Sequence, residues 1–196
     1  FYEAKDVADA INALVKNPDA EIISGGTDVL IRVREGKDAG RSVVSIHNIE
    51  ALKGVRLLDD GDLWIGAGTA FSHITNDALI QKYIPMLGDA VDMVGGPQIR
   101  NTGTIGGNIC NGATSAESAS TMWTLEADVL LEGLRANAEC RSVNSIQVPG
   151  GRSANGPRSV PASWCTGKAS RAGAAITSST ARERPWKLPP WAVLCA

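Results

Sequence analysis

The run TIGGNICNGATSAES, residues 104 to 118, constrains this chain more than any other stretch. It sets Gly106 and Gly107 beside Asn108, then passes through small and hydroxylated residues to one carboxylate, Glu117. Side chains this small cannot fill a close-packed interior by themselves. The space reads as kept for a guest, and the residue types suit a guest that carries phosphates. Glycines let successive backbone N–H groups turn toward one anion, and a following helix adds the positive end of its dipole. The same elements occur earlier in IISGGTDVL, residues 22 to 30: a strand, Gly-Gly-Thr, a helix. There the Thr27 hydroxyl can donate to a phosphate oxygen. Alone, either stretch reads as an ordinary glycine turn, and the first matches neither GxGxxG nor the Walker A pattern. On adjacent subdomains the two can clamp a pyrophosphate. Asn108 then offers an amide, and Glu117 a carboxylate, to ring atoms and sugar or ribityl hydroxyls, so a dinucleotide is the natural guest.

The totals narrow the class. A chain of 196 residues, 43% of them apolar, can form one large or two small domains with a real core. A net charge of -2 argues against a nucleic-acid surface, which needs clustered Lys and Arg. No apolar run is long enough to span a bilayer, and no signal-peptide pattern opens the sequence at Phe1. Cys110, Cys140, Cys165 and Cys195 form no CxxC pair, so neither zinc nor an iron–sulfur cluster is expected on this chain. The expectation is a cytoplasmic protein with reduced thiols.

Periodicity places the elements. DVADAINALVKNPDA reads as a helix with Asp6 as N-cap, an apolar face of Val7, Ile11, Leu14 and Val15, and a stop at Pro18. The strand EIIS, the helix DVLIRVREG and the strand SVVSI then suggest parallel strands with a right-handed crossover. VRLLDDGDLWIGA reads as a hairpin turning at Asp59, Asp60 and Gly61. Two helices are expected near residues 71 to 80 and 83 to 93, and GGPQIRNTG is expected to break the helical pattern. A short helix near Met122 and the strand ADVLLE follow. His47 and His73 are solitary, and Ser72, His73 and Asp77 lack the nucleophile elbow of a hydrolase.

ISGGTDVL and GPQIRNTGTIGGNICNGATSAES together resemble the FAD-binding subunits of bacterial xanthine dehydrogenases. These belong to the flavin domains of molybdenum hydroxylases, a group that includes the medium subunit of carbon monoxide dehydrogenase. The likeness runs from Phe1 to about Glu132. It implies an α+β, two-subdomain FAD-binding fold: a βαβ-like N-terminal subdomain over 1–54, and a second subdomain over 55–143 that is incomplete. Carried over residue by residue, Ile22, Ile23, Ser24, Gly25, Gly26, Thr27, Asp28 and Val29 form a first FAD loop. Thr104, Ile105, Gly106, Gly107 and Asn108 form a second, and Glu117 stands where the family usually has Asp. Val94 and Gly95 fall where a residue near the isoalloxazine ring is expected. The implied cofactor is FAD. The implied partners are a molybdenum-cofactor subunit that oxidises a purine and an iron–sulfur subunit, with NAD+ as electron acceptor. No side chain is expected to act as acid or base, since the flavin carries the chemistry. The competing expectations are a non-catalytic remnant that docks partners without flavin, and the flavin subunit of a carbon monoxide or aldehyde dehydrogenase.

Past residue 143 the character changes. Residues 144–196 are rich in Ser, Arg, Pro, Gly and Trp without sustained periodicity, and composition predicts a disordered or non-native-like tail. One shifted codon frame explains it. Taking each third base with the next two, Asn144 through Gly151 can spell Phe-Tyr-Ser-Gly-Pro-Gly-Arg. At the same offset Ala175 through Thr180 can spell His-Tyr-Ile-Lys-Tyr, and Pro185 through Val193 can spell Met-Glu-Ile-Ala-Thr-Leu-Gly-Cys. All three resemble segments the family carries after the second loop, in order. The tail is therefore expected to be out-of-frame translation, and encoding DNA whose codons forbid that second reading would overturn the idea.

Overall fold

The computed structural model describes residues 1–113, 116–125, 127–132, 138–140 and 175–181. The chain opens with a strand that the sequence reading omits, β1 (Tyr2–Glu3), and continues into α1 (Val7–Lys16). Asp6 caps α1, its carboxylate accepting from the Asp9 N–H at 2.8 Å. The buried face of α1 is Ala10, Ala13 and Leu14. Val15, expected on that face, is 43% exposed. It lies about 100° around the helix from Leu14, which turns it to the solvent side.

The expected β-α-β unit follows as β2 (Glu21–Ile23), α2 (Val29–Arg34) and β3 (Val43–Ser45). All three strands are parallel, in the order β1-β3-β2. Leu14, Val44, Ile49 and Leu52 form the heart of this unit's core. α2 buries no residue fully, so ionic contacts fix it instead. Arg32 reaches Glu21 at 2.6 Å and Asp38 at 2.7 Å, and Arg41 reaches the same two carboxylates at 3.2 Å each. The hydrogen bond that Arg32 donates to Asp38, above all, holds its guanidinium above its ordinary pKa.

A 3-10 turn (Glu50–Leu52) leads to the hairpin of β4 (Val55–Leu57) and β5 (Leu63–Gly66), with Gly61 at a φ of +88° in the turn. Arg56 lies over the buried Trp64 ring at 3.7 Å. The two halves are stitched together at Leu52–Gly54. The Gly68 N–H donates to the Leu52 carbonyl at 2.8 Å, and the Gly66 N–H donates to the Gly54 carbonyl at 3.0 Å. The buried Thr69 hydroxyl accepts from the Gly54 N–H and donates to its carbonyl.

Three helices, not the expected two, come next: α3 (Phe71–Asn76), α4 (Ala78–Tyr83) and α5 (Pro85–Asp92). Asp77 makes the division. Its carboxylate caps α4 by accepting from the Leu79 and Ile80 N–H groups at 2.8 and 3.2 Å. It also faces His73 at 3.3 Å, a capping role that accounts for this pair without a hydrolase. Pro85 sits in the first turn of α5, where its missing N–H costs nothing. The same reasoning corrects the expected break at GGPQIRNTG. Pro97 starts a further helix, α6 (Pro97–Thr102), after Gly96.

α7 (Ile105–Asn111), α8 (Glu117–Thr124), β6 (Asp128–Glu132), β7 (Ala138–Cys140) and β8 (Ala175–Ala181) complete the described chain. The second sheet is antiparallel, ordered β4-β5-β8-β6-β7. The helices cover it with a core centred on Ile65, Ile74, Ile80, Leu87, Ile105 and Met122. The α+β architecture is thus the expected one. The expectation of a tail without regular structure fails for residues 175–181. β8 lies between β5 and β6, with Thr180 opposite both Trp64 and Asp128. Two strand edges offer backbone donors and acceptors to any segment free of proline, whatever its side-chain pattern. The rest of the out-of-frame reading lies outside the described residues. Among the described residues no helix is long and apolar enough to cross a membrane.

Candidate functional site

The first glycine loop runs from the end of β2 to the start of α2. Ile23 is buried, Ile22 and Val29 are half-buried, and Ser24 to Asp28 make the turn. Gly26 has a φ of +77°, where a side chain is strained. Gly25 is required for a different reason. A Cβ there would lie 1.8 Å from the Thr102 carbonyl oxygen and 3.1 Å from the Gly103 Cα. Its missing side chain lets the first loop rest against the backbone just before Thr104, so the structure brings the two glycine stretches together. Asp28 stands at the N-cap of α2 without a side-chain cap bond, and Thr27 is half-buried. The Ser24 hydroxyl is buried and finds no hydrogen-bond partner among the described residues. Leaving such a group unpaired costs about 1–3 kcal/mol.

The second stretch is a helix start, not the open loop expected. Thr104 is the N-cap of α7, its hydroxyl oxygen accepting from the Gly107 N–H at 3.2 Å. The Ile105 N–H donates to the Thr69 carbonyl at 3.1 Å, Gly106 to Ala67 at 2.9 Å, and Asn108 to Thr104 at 3.0 Å. A helix must satisfy its first four donors, and here Ala67 to Thr69 supply two of the acceptors. Gly106 is explained by that contact, because a Cβ on it would lie 2.6 Å from the Ala67 Cβ. Gly112, at a φ of +61°, closes the C-terminal end of the same helix. Gly107 is left exposed, and a Cβ there would meet only the Thr104 hydroxyl, at 3.0 Å.

Asn108 does not stand free. Its side-chain oxygen accepts from the Ser118 hydroxyl at 2.6 Å and from the Ser118 N–H at 3.3 Å. Its side-chain nitrogen donates to the Glu117 carboxylate at 3.4 Å. Asn108 therefore ties α7 to the first turn of α8. Glu117, half-buried, opens α8, and Ser118 behind it is fully buried. Ser118 is the residue sequence reasoning missed, since nothing in a run of small residues marks one serine as a partner. Val94 and Gly95 are held from below: Arg100 donates to their carbonyls at 3.3 and 2.8 Å and pairs with Asp92 at 3.2 Å.

These residues fit a phosphate-bearing guest. The orphaned Ser24 hydroxyl has a proton to give, exposed Gly107 puts no side chain over the start of α7, and the Glu117 carboxylate has acceptor positions beyond the one Asn108 uses.

The family model for the FAD binding domain in molybdopterin dehydrogenase matches residues 1–144. The chain is 48% identical over 132 residues to the xanthine dehydrogenase FAD-binding subunit of Escherichia coli O157:H7, covering 67% of this chain and 44% of that protein. It is 33% identical over 143 residues to the nicotinate dehydrogenase FAD-subunit of Eubacterium barkeri, covering 72% and 48%. The chain thus spans less than half the length of these relatives. Among solved structures, a Cu,Mo-CO dehydrogenase superposes with a TM-score of 0.78 at 23% identity, over 94% of this chain and 59% of that one. Quinoline 2-oxidoreductase from Pseudomonas putida 86 gives 0.75 at 22%, over 92% and 57%. At those identities the likeness is one of fold. The match across residues 1–144 goes further: the chain belongs to the family of the FAD binding domain in molybdopterin dehydrogenase, whose cofactor is FAD.

Proposed function

We propose that this chain is the FAD-holding part of an electron-transfer subunit in a xanthine dehydrogenase-type molybdenum hydroxylase of the cytoplasm. Its partners are a molybdenum-cofactor subunit that oxidises a purine and an iron–sulfur subunit, with NAD+ as the final acceptor. The observation that carries the reading is the seating of Gly25 on Thr102 and Gly103, which sets both glycine stretches around one place. In this reading Ser24 and Thr27 donate to one phosphate, and Gly107 lets the second phosphate approach the start of α7. Glu117 accepts from ribityl or sugar hydroxyls. Val94 and Gly95, fixed by Arg100, stand beside the ring. When bound, FAD supplies the exchange between one-electron and two-electron carriers, and the chain binds and orients it.

The test is a titration of the purified chain with FAD, followed by flavin fluorescence and absorbance. One FAD per chain is expected, and no binding at about 100 μM would refute the reading. Adding the partner subunits should give xanthine-dependent reduction of NAD+. Reduction driven by carbon monoxide or an aldehyde would replace the purine assignment and leave the FAD assignment standing.

A further inference from the structure

Ser118 lies directly behind Glu117 and is 0% exposed. It makes two donations to a single atom, the side-chain oxygen of Asn108, from its hydroxyl and from its backbone N–H. A backbone N–H can only donate, so the atom it faces must be an oxygen. That fixes which way the Asn108 amide is turned, a choice an isolated asparagine leaves open. With the oxygen committed to Ser118, the amide nitrogen faces Glu117. α8 thus sets Asn108 from one residue and receives its hydrogen bond on the next. The bond to Glu117 uses one of about four acceptor positions on the carboxylate. The rest remain for a guest.

We propose that Ser118 and Asn108 are positioning residues that fix the Glu117 carboxylate for the hydroxyl groups of the cofactor; this rests on the FAD reading above. Ser118 acts without touching the cofactor. Its effect passes through Asn108 to one carboxylate, so it should vanish when that carboxylate is removed. A residue that merely packs α7 on α8 would act equally with or without Glu117.

A double-mutant cycle on FAD affinity separates the two. Asn108→Ala should weaken FAD binding about tenfold and Ser118→Ala about threefold in the presence of Glu117. In a Glu117→Ala background both should change affinity less than about twofold. Thermal unfolding without FAD checks each variant, and if Asn108→Ala does not fold, the Ser118→Ala cycle decides alone. Equal losses in both backgrounds would overturn the positioning role, as would no loss beside Glu117, and either would leave the FAD reading standing. Wild-type chain that binds no FAD would overturn both.

Discussion

Gly25→Ala is the sharpest test of how the site is built. Gly25 does not have a left-handed φ, so alanine meets no backbone penalty there. The penalty is spatial. The new Cβ would lie 1.8 Å from the Thr102 carbonyl oxygen and 2.6 Å from its carbon, both main-chain atoms that no rotamer change can clear. The two stretches must part by about 1.2 Å to reach a tolerable contact, and overpacking of this kind costs about 1–3 kcal/mol. A shift of that size also takes a hydrogen bond of about 2.9 Å out of range. If one or two bonds to the guest depend on the present spacing, FAD affinity falls between about tenfold and about a hundredfold. Gly96→Ala is the matched control, because its Cβ would meet only the flexible end of Gln98, at 3.1 Å. Thermal unfolding without FAD and fluorescence titration with FAD give the two readouts. A Gly25→Ala protein with wild-type stability and affinity would refute the claim that this contact joins the site.

Three further outcomes follow from the polar contacts. Arg32→Ala breaks the pairs with Glu21 and Asp38, whose side chains are only 11% and 12% exposed, and should cost about 1–2 kcal/mol in urea unfolding, less in 1 M salt. Asp77→Ala removes the cap on α4 and should cost about 1 kcal/mol by the same measure. Asp9 is held below the usual carboxylate range, first by the Lys5 backbone N–H and then by the Tyr2 hydroxyl. Its contribution is present above the unfolded pKa of about 4 and is lost as pH falls through the lower folded value, so Asp9→Asn should flatten the acid limb of a melting-temperature profile.

Much of this was legible in the residues. Asp6 before an apolar period marked α1, alternating elements marked the parallel unit, and Asp59 to Gly61 marked the hairpin. What escaped was set by contacts distant in sequence. Gly106 and Gly107 read as a loop, but the acceptors at Ala67 and Thr69 and the Thr104 cap make a helix of them. Pro97 read as a breaker because its effect depends on whether it falls before or at the first helical turn. Residues 175–181 carry no strand pattern, since their place is given by the two edges they join. At the site, residue type only suggested which side chains suit a nucleotide. It did not foretell that Asn108 is already engaged by Ser118, because rotamer and hydrogen-bond geometry leave no mark on composition.

β8 is the central strand of its sheet, yet it follows β5 by roughly 110 residues, and joining ends so far apart is entropically costly and slow. This gives the molecule a timetable as it leaves the ribosome. The unit of β1 to β3 draws on near neighbours and can close early. β5 and β6 emerge next without the strand that joins them, each with an edge open to pairing with another nascent chain. Only when residues 175–181 are released can the platform beneath α7 and α8 consolidate. Cofactor capture is then a late event in the life of each new chain, and crowded synthesis would tax the second half of the site first.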